Sequence, residues 1–196
     1  SDKAIFAYGY AGGAARSMSN LVNSSGVIAS DVTGVGTARR YLAATAYGGP
    51  AAGKAIFGFG LVSSVTAITN LVTNVGVVGS DVSGVGTARY GCAGATYGDD
   101  KAIFGYGWNG SADVSLTNLV TNLGVVGSDV SGVGSTRRVL AAAGYGGDKA
   151  IFAYGHDNSD LSMSNLVNSS GVVSSDVTGV GTARNSPGAA GYSLSA

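Results

Sequence analysis

Four heptapeptides decide how this chain is read: Lys-Ala-Ile-Phe-Ala-Tyr-Gly at 3–9, Lys-Ala-Ile-Phe-Gly-Phe-Gly at 54–60, Lys-Ala-Ile-Phe-Gly-Tyr-Gly at 101–107 and Lys-Ala-Ile-Phe-Ala-Tyr-Gly again at 149–155. Their starts lie 51, 47 and 48 residues apart, a period typical of propellers, solenoids and arrays. Working outward, the rest of each unit repeats as well. Asn-Leu-Val begins at Asn20, Asn70, Asn118 and Asn165, and a Gly-Val segment at Gly26, Gly76, Gly124 and Gly171. Ser-Asp-Val then places Asp31, Asp81, Asp129 and Asp176, and a Gly-Val-Gly turn leads to Arg39, Arg89, Arg137 and Arg184. An Ala/Gly-rich run closes each unit at Tyr47, Tyr97, Tyr145 and Tyr192.

Four short strands fit each unit: the Ala/Gly-rich run, the Ala-Ile-Phe segment, the Asn-Leu-Val segment and the Gly-Val-Val-to-Asp-Val segment, separated by turn residues. On the second strand, Ile5, Ile56, Ile103 and Ile151 share one sheet face, and Phe6, Phe57, Phe104 and Phe152 take the other. Two apolar faces predict sheets packed on both sides. The units run over about 3–53, 54–100, 101–148 and 149–196, within a single domain spanning 1–196. Composition agrees: Gly contributes 34 of 196 residues and every one of the eleven acids is Asp, while the good helix former Glu is absent.

The stretch GVGTARYGCAGATYGDDKAIFGYG at 84–107 resembles the Kelch motif: an Arg before a small-residue strand, a tight turn, and a second strand ending in glycine. Two departures are visible, because Tyr-Gly or Phe-Gly stands where that motif has Gly-Gly, and the Trp of the fourth strand is missing. The units are also similar to tandem units of phage and environmental viral structural proteins. The Kelch resemblance implies an all-β propeller of four-stranded antiparallel blades, four per chain. The chain opens on Ser1-Asp2-Lys3, inside a repeat, as a piece of something longer would, and Gly188–Tyr192 copies a first strand. The terminal strands are therefore expected to pair, either within the chain or between two chains sharing an eight-bladed ring, which removes open edges.

Charge and residue inventory narrow the functions. A formal net charge of zero speaks against nucleic acid, and no apolar run reaches the length of a membrane span. The single cysteine, Cys92, permits no internal disulfide. His156 is the only histidine and stands in a predicted loop without a nucleophile elbow, so no catalytic residue, metal or cofactor is expected. Gly-Val-Gly lacks the Lys of a phosphate loop and reads as a tight turn. The repeated Asp31/Arg39, Asp81/Arg89, Asp129/Arg137 and Asp176/Arg184 pairs, eight residues apart, are expected to form structural ion pairs.

Recognition is expected where the repeat varies. The segments after each Ala-Ile-Phe strand hold Tyr10 and Arg16 in the first unit, Trp108, Asn109 and Asp113 in the third, and His156, Asp157 and Asn158 in the fourth. The residue after each repeated Arg also varies, with Arg40, Tyr90 and Arg138 among them. In antiparallel blades both sets emerge on one face, and variable loops on a rigid frame are where binding concentrates. The expectation is a binding module for a glycan or a protein. The alternative is a structural or assembly protein without a small ligand, forming a homodimer or a larger ring. An extracellular or virion-associated setting suits both.

Overall fold

The computed structural model describes residues 3–192, and among them there is no helix, hence none long and apolar enough to cross a membrane. Eleven strands form four small antiparallel sheets. The first sheet pairs β1 (Ala4–Ala11) with β2 (Ala14–Val22). The second joins β3 (Ala43–Tyr47), β4 (Lys54–Gly58) and β5 (Thr69–Val72). The third joins β6 (Ala93–Tyr97), β7 (Lys101–Trp108) and β8 (Asp113–Val120). The fourth joins β9 (Ala141–Tyr145), β10 (Lys149–Asp157) and β11 (Ser159–Val167).

The Ala-Ile-Phe strand is central in each three-stranded sheet, and its apolar faces explain the stacking. Ile5 packs in one cluster with Phe57, Ile56 with Phe104, and Ile103 with Phe152. Each Ile thus meets the Phe of the following unit, and the sheets pack in chain order. Successive sheets approach most closely along β3, β6 and β9. Their small residues permit this: a Cβ on Gly94 would lie 3.2 Å from the Ala44 carbonyl oxygen, and one on Gly144 would lie 3.1 Å from Thr96 Oγ1.

The expected fourth strand is reduced to two isolated bridges per unit, Val32 to Ser19 and Ile28 to Val22 in the first, Val82 to Thr69 and Val78 to Val72 in the second, and so on. A glycine with positive φ turns the chain into this segment, at Gly26, Gly76, Gly124 and Gly171. Between the bridges, a side chain joins the ladder: the amides of Asn20, Asn70, Asn118 and Asn165 donate to the carbonyls of Ala29, Gly79, Gly127 and Ser174 at 3.0–3.1 Å.

The Tyr-Gly or Phe-Gly that closes each heptapeptide has a backbone geometry of its own. Tyr8, Phe59, Tyr106 and Tyr154 have φ of 62–66°, each followed by a Gly at 111–113°. In β1, β7 and β10 the register shifts at this point, marking a bulge that re-aims the aromatic ring. A bulky side chain at positive φ is costly, so its surroundings must compensate.

The pairing expected between the two chain ends within one molecule is not found among the described residues. There β1 pairs only with β2, and 188–192 has no strand partner. Instead, Gly191 lies against β9, where a Cβ on it would be 2.7 Å from the Gly144 carbonyl oxygen.

Candidate functional site

Two sets of side chains stand out, one repeated and one not. The repeated set sits between sheets. Asp81 accepts hydrogen bonds from the Thr37 amide (3.0 and 3.1 Å) and the Thr37 hydroxyl (2.6 Å), and from Asn70 Nδ2 at 2.9 Å. Asp129 does the same with Thr87 and Asn118, and Asp176 with Ser135 and Asn165. In each case the strap that leaves one sheet is latched to the Asp of the next. Burial on its own raises these three carboxyls, but the hydrogen bonds from Thr37, Thr87 or Ser135 and from the Asn outweigh it, and each is held below the usual Asp range.

The Arg of the same strap is driven between the sheets. Arg39, Arg89 and Arg137 are fully buried. Their guanidinium carbons lie 4.2, 4.0 and 4.1 Å from the ring centroids of Tyr8, Phe59 and Tyr106. Their Nε atoms donate to the carbonyls of Phe59, Tyr106 and Tyr154 at 2.8–2.9 Å. Arg89 and Arg137 also donate to Asn118 and Asn165 Oδ1, at 2.6 and 2.7 Å. At the first junction Arg39 reaches the Phe57 carbonyl instead, at 3.5 Å, and Asn70 Oδ1 is buried without a partner. Three of the four bulge aromatics are therefore held between a guanidinium on one side and, edge-to-face, the next unit's Phe: Tyr8 with Phe57, Phe59 with Phe104, Tyr106 with Phe152. Burial raises the Tyr106 phenol to about 12 against the opposing pull of Arg137.

The eight-residue Asp–Arg spacing does not form ion pairs inside a unit. The one charged contact in this set among the described residues is Arg89 Nη1 to Asp129 Oδ1, 4.0 Å apart and in consecutive units. The strap crosses to the next sheet between the Asp and the Arg, so each Arg faces the acid of the following unit. The latch residues that the sequence reading passed over are Thr37, Thr87 and Ser135, the four Asn of Asn-Leu-Val and the bulge aromatics. Their signal was present as near-invariant repetition.

The non-repeated set lies along one edge of the row of sheets. Arg40 pairs backbone to backbone with Leu61, Tyr90 with Trp108, and Arg138 with His156, with N···O distances of 2.8–3.1 Å. The residue after each buried Arg is thereby joined to the first variable residue of the next unit. His156 belongs to β10 and Trp108 to β7, so these positions are strand extensions, not the loops the sequence suggested. The Arg40 guanidinium lies 4.6 Å from the Tyr10 ring and 5.6 Å from the Tyr41 ring, and Tyr41 is 5.7 Å from Tyr90. Arg138 lies 4.9 Å from the Trp108 ring and donates twice to Asp113, at 2.8 and 3.0 Å. Burial raises the Asp113 carboxyl, with Arg138 acting against it.

The remaining predicted residues separate from this ridge. Asn109 caps its own turn by accepting from the amides of Ser111 and Ala112. His156 Nδ1 is 3.0 Å from Asp160, which also accepts from Asn185 at 2.8 Å, while Asp157 and Asn158 bond each other at the β10–β11 tip. No Ser or Cys side chain hydrogen-bonds His156 among the described residues. Arg16 lies on β2 and lines an open groove of about 590 Å³ with Phe6, Tyr8, Tyr10 and Met18. No cluster of three His, Cys or acidic side chains suited to a metal occurs among the described residues. No protein-family model matches the chain, and comparison with curated proteins yields no match.

Proposed function

We propose that the chain is a non-catalytic recognition scaffold of the propeller kind, which binds a glycan or a protein along its variable edge. One observation carries this reading. At the three internal junctions the repeated Asp, Asn, Thr or Ser and Arg side chains are used up as latches between sheets, while Arg40, Tyr41, Tyr90, Trp108 and Arg138 share one edge. Aromatic rings and Arg side chains fixed on a rigid frame are the groups that anchor interfaces. The propeller reading is supported by four antiparallel sheets that pack in chain order, the three three-stranded ones approaching one another along the small-residue strands β3, β6 and β9. A glycan array probed with the wild type and with Trp108→Ala tests it. At least one glycan class should bind, and the substitution should weaken that binding about tenfold or more. An array without a ligand, or equal binding by both proteins, would count against a glycan partner and against the Trp108 edge as its site.

A second reading, a structural or assembly protein, is favoured by the two uncovered flanks of the row. Sheet completion between chains, as in a ring of two molecules, belongs to that reading.

A further inference from the structure

The latch that joins each pair of neighbouring sheets is present in separated halves at the two flanks of the molecule. On the first sheet, Asn20 Nδ2 holds Asp31 at 2.9 Å and the Ala29 carbonyl at 3.1 Å, the arrangement Asn70 makes with Asp81 and Gly79. Inside the row that carboxylate also accepts a strap Thr or Ser. Asp31 is exposed, and Asn20 is its only hydrogen-bond partner among the described residues. On the last sheet, the Arg184 guanidinium covers Tyr154 at 3.7 Å, and its Nη1 donates to the Thr182 carbonyl at 3.0 Å. Arg89 makes the same two contacts with Phe59 and Thr87. Yet Thr182 and Arg184 are exposed, with no Asp, Asn or bulge carbonyl of a following sheet against them among the described residues.

The apolar faces are complementary in the same sense. Inside the row an Ile face meets a Phe face; Phe6 is exposed on the first sheet, and Ile151 is only half-buried on the last. The first sheet has two strands where the others have three, and what it lacks is the small-residue strand beside β1. Residues 188–192, Gly-Ala-Ala-Gly-Tyr, repeat the pattern of β3, β6 and β9 and have no strand partner.

We propose that these flanks bind each other between two copies of the chain, head to tail. Thr182 of one copy donates its amide and hydroxyl to Asp31 of the next. Arg184 donates to the Tyr8 carbonyl and to Asn20 Oδ1, Phe6 packs edge-to-face on Tyr154, and 188–192 pairs with β1. The contact reproduces a junction already made three times within the chain, which makes a second copy the occupant that fits. It works out the assembly reading in residue detail and is independent of ligand recognition at the variable edge. Such heterologous contacts extend to a ring or a filament, according to whether the rotation closes.

The test uses two blocked variants of the whole chain. Asp31→Arg sets a guanidinium against Arg184 at the head, and Thr182→Arg sets one against the Asn20 side at the tail. Both positions are exposed, so circular dichroism, and the unfolding midpoint at dilutions where the wild type is monomeric, should match the wild type. In sedimentation velocity, wild type should grow beyond the 19.1 kDa monomer as concentration rises, and each variant alone should remain monomeric. An equimolar mixture should stop at a dimer, because it contains one intact head facing one intact tail. Trp108→Ala should assemble as wild type does. A wild type that stays monomeric up to about millimolar concentration, variants that assemble as far as wild type does, or a mixture without dimer would each overturn the proposal.

Discussion

Phe104 and Phe6 occupy equivalent positions in heptapeptides that differ only at the next residue, Gly105 against Ala7, yet Phe104 is fully buried and Phe6 is 60% exposed. Arg89 and Arg184 differ in the same way: both cover an aromatic ring, but only Arg89 is enclosed by the next sheet. Near-identical sequence therefore has two physical roles, set by whether a neighbour is present. What holds a sheet in place is not chiefly its own ladder, which is three strands at most, but the apolar face and the latch supplied by the adjacent unit. The two-stranded sheet of β1 and β2 in particular would be marginal in water by itself.

The comparison can be broken by substitution at equivalent positions. The largest effect is expected for Arg89→Ala, which strands the Tyr106 carbonyl and Asn118 Oδ1 and empties the site above Phe59. Denaturant unfolding should register a loss of about 3–5 kcal/mol, whereas Arg184→Ala should stay within about 0.5 kcal/mol in the monomer. Phe104→Ala against Phe6→Ala should show a similar contrast, about 3–5 kcal/mol against a near-neutral change. If the two members of either pair cost the same, the neighbour is not the source of stability.

A smaller contrast is set at the strap glycines. Gly86 has a φ of 77°, and a Cβ there would lie 2.5 Å from Asn118 Nδ2; Gly181 has a φ of 76°, with the Tyr154 hydroxyl 4.0 Å away. Gly181→Ala should show the backbone cost alone, about 1–2 kcal/mol. Gly86→Ala should exceed it by about 1 kcal/mol or more, because the latch must also shift. Equal thermal midpoints for the two variants would mean that the strap is not pressed against its neighbour.

The mildest effect concerns acid. Asp81, Asp129 and Asp176 have carboxyls held below their ordinary range in the folded state, so the unfolded chain binds more protons in that window. Their contribution is complete above about pH 4 and is lost as pH falls through the lower folded values. Unfolding midpoints measured from pH 6 to 2 should drop more steeply for wild type than for a variant carrying Asn at all three positions. Parallel curves would remove these latches from the account of acid stability.

Much of this was legible in the sequence because it was written four times. The central strands, their opposed Ile and Phe faces and the small residues of β3, β6 and β9 all follow from periodicity and side-chain size. What was not legible depends on which sheet a residue meets. Asp81 and Arg89 lie eight positions apart but reach opposite neighbours, a separation no spacing rule contains. The fourth strand reads as apolar, yet Val27, Val77, Val125 and Val172 are exposed, and Asn side chains stand in for part of its ladder. His156 and Trp108 look like loop residues because their neighbours are polar, but backbone pairing with Arg138 and Tyr90 extends the strands through them. Tyr41 escaped notice because the position two residues after each repeated Arg carries a different side chain in every unit: Tyr41, Gly91, Val139 and Ser186.

That position belongs to a column. Tyr41, Gly91, Val139 and Ser186 all have positive φ, and the amide of each after the first donates to the carbonyl of its counterpart one unit earlier: Gly91 to Tyr41, Val139 to Gly91 and Ser186 to Val139, at 2.7–2.9 Å. Such a column ties module to module through one backbone bond per unit. Removing or duplicating one complete module rejoins the same spine, and the segments between rungs can differ in length, because the spine positions lie 50, 48 and 47 residues apart and still bond. Lengthening by tandem duplication is then the easy evolutionary route for this chain, and melting should proceed rung by rung from a terminus, as in a one-dimensional Ising lattice.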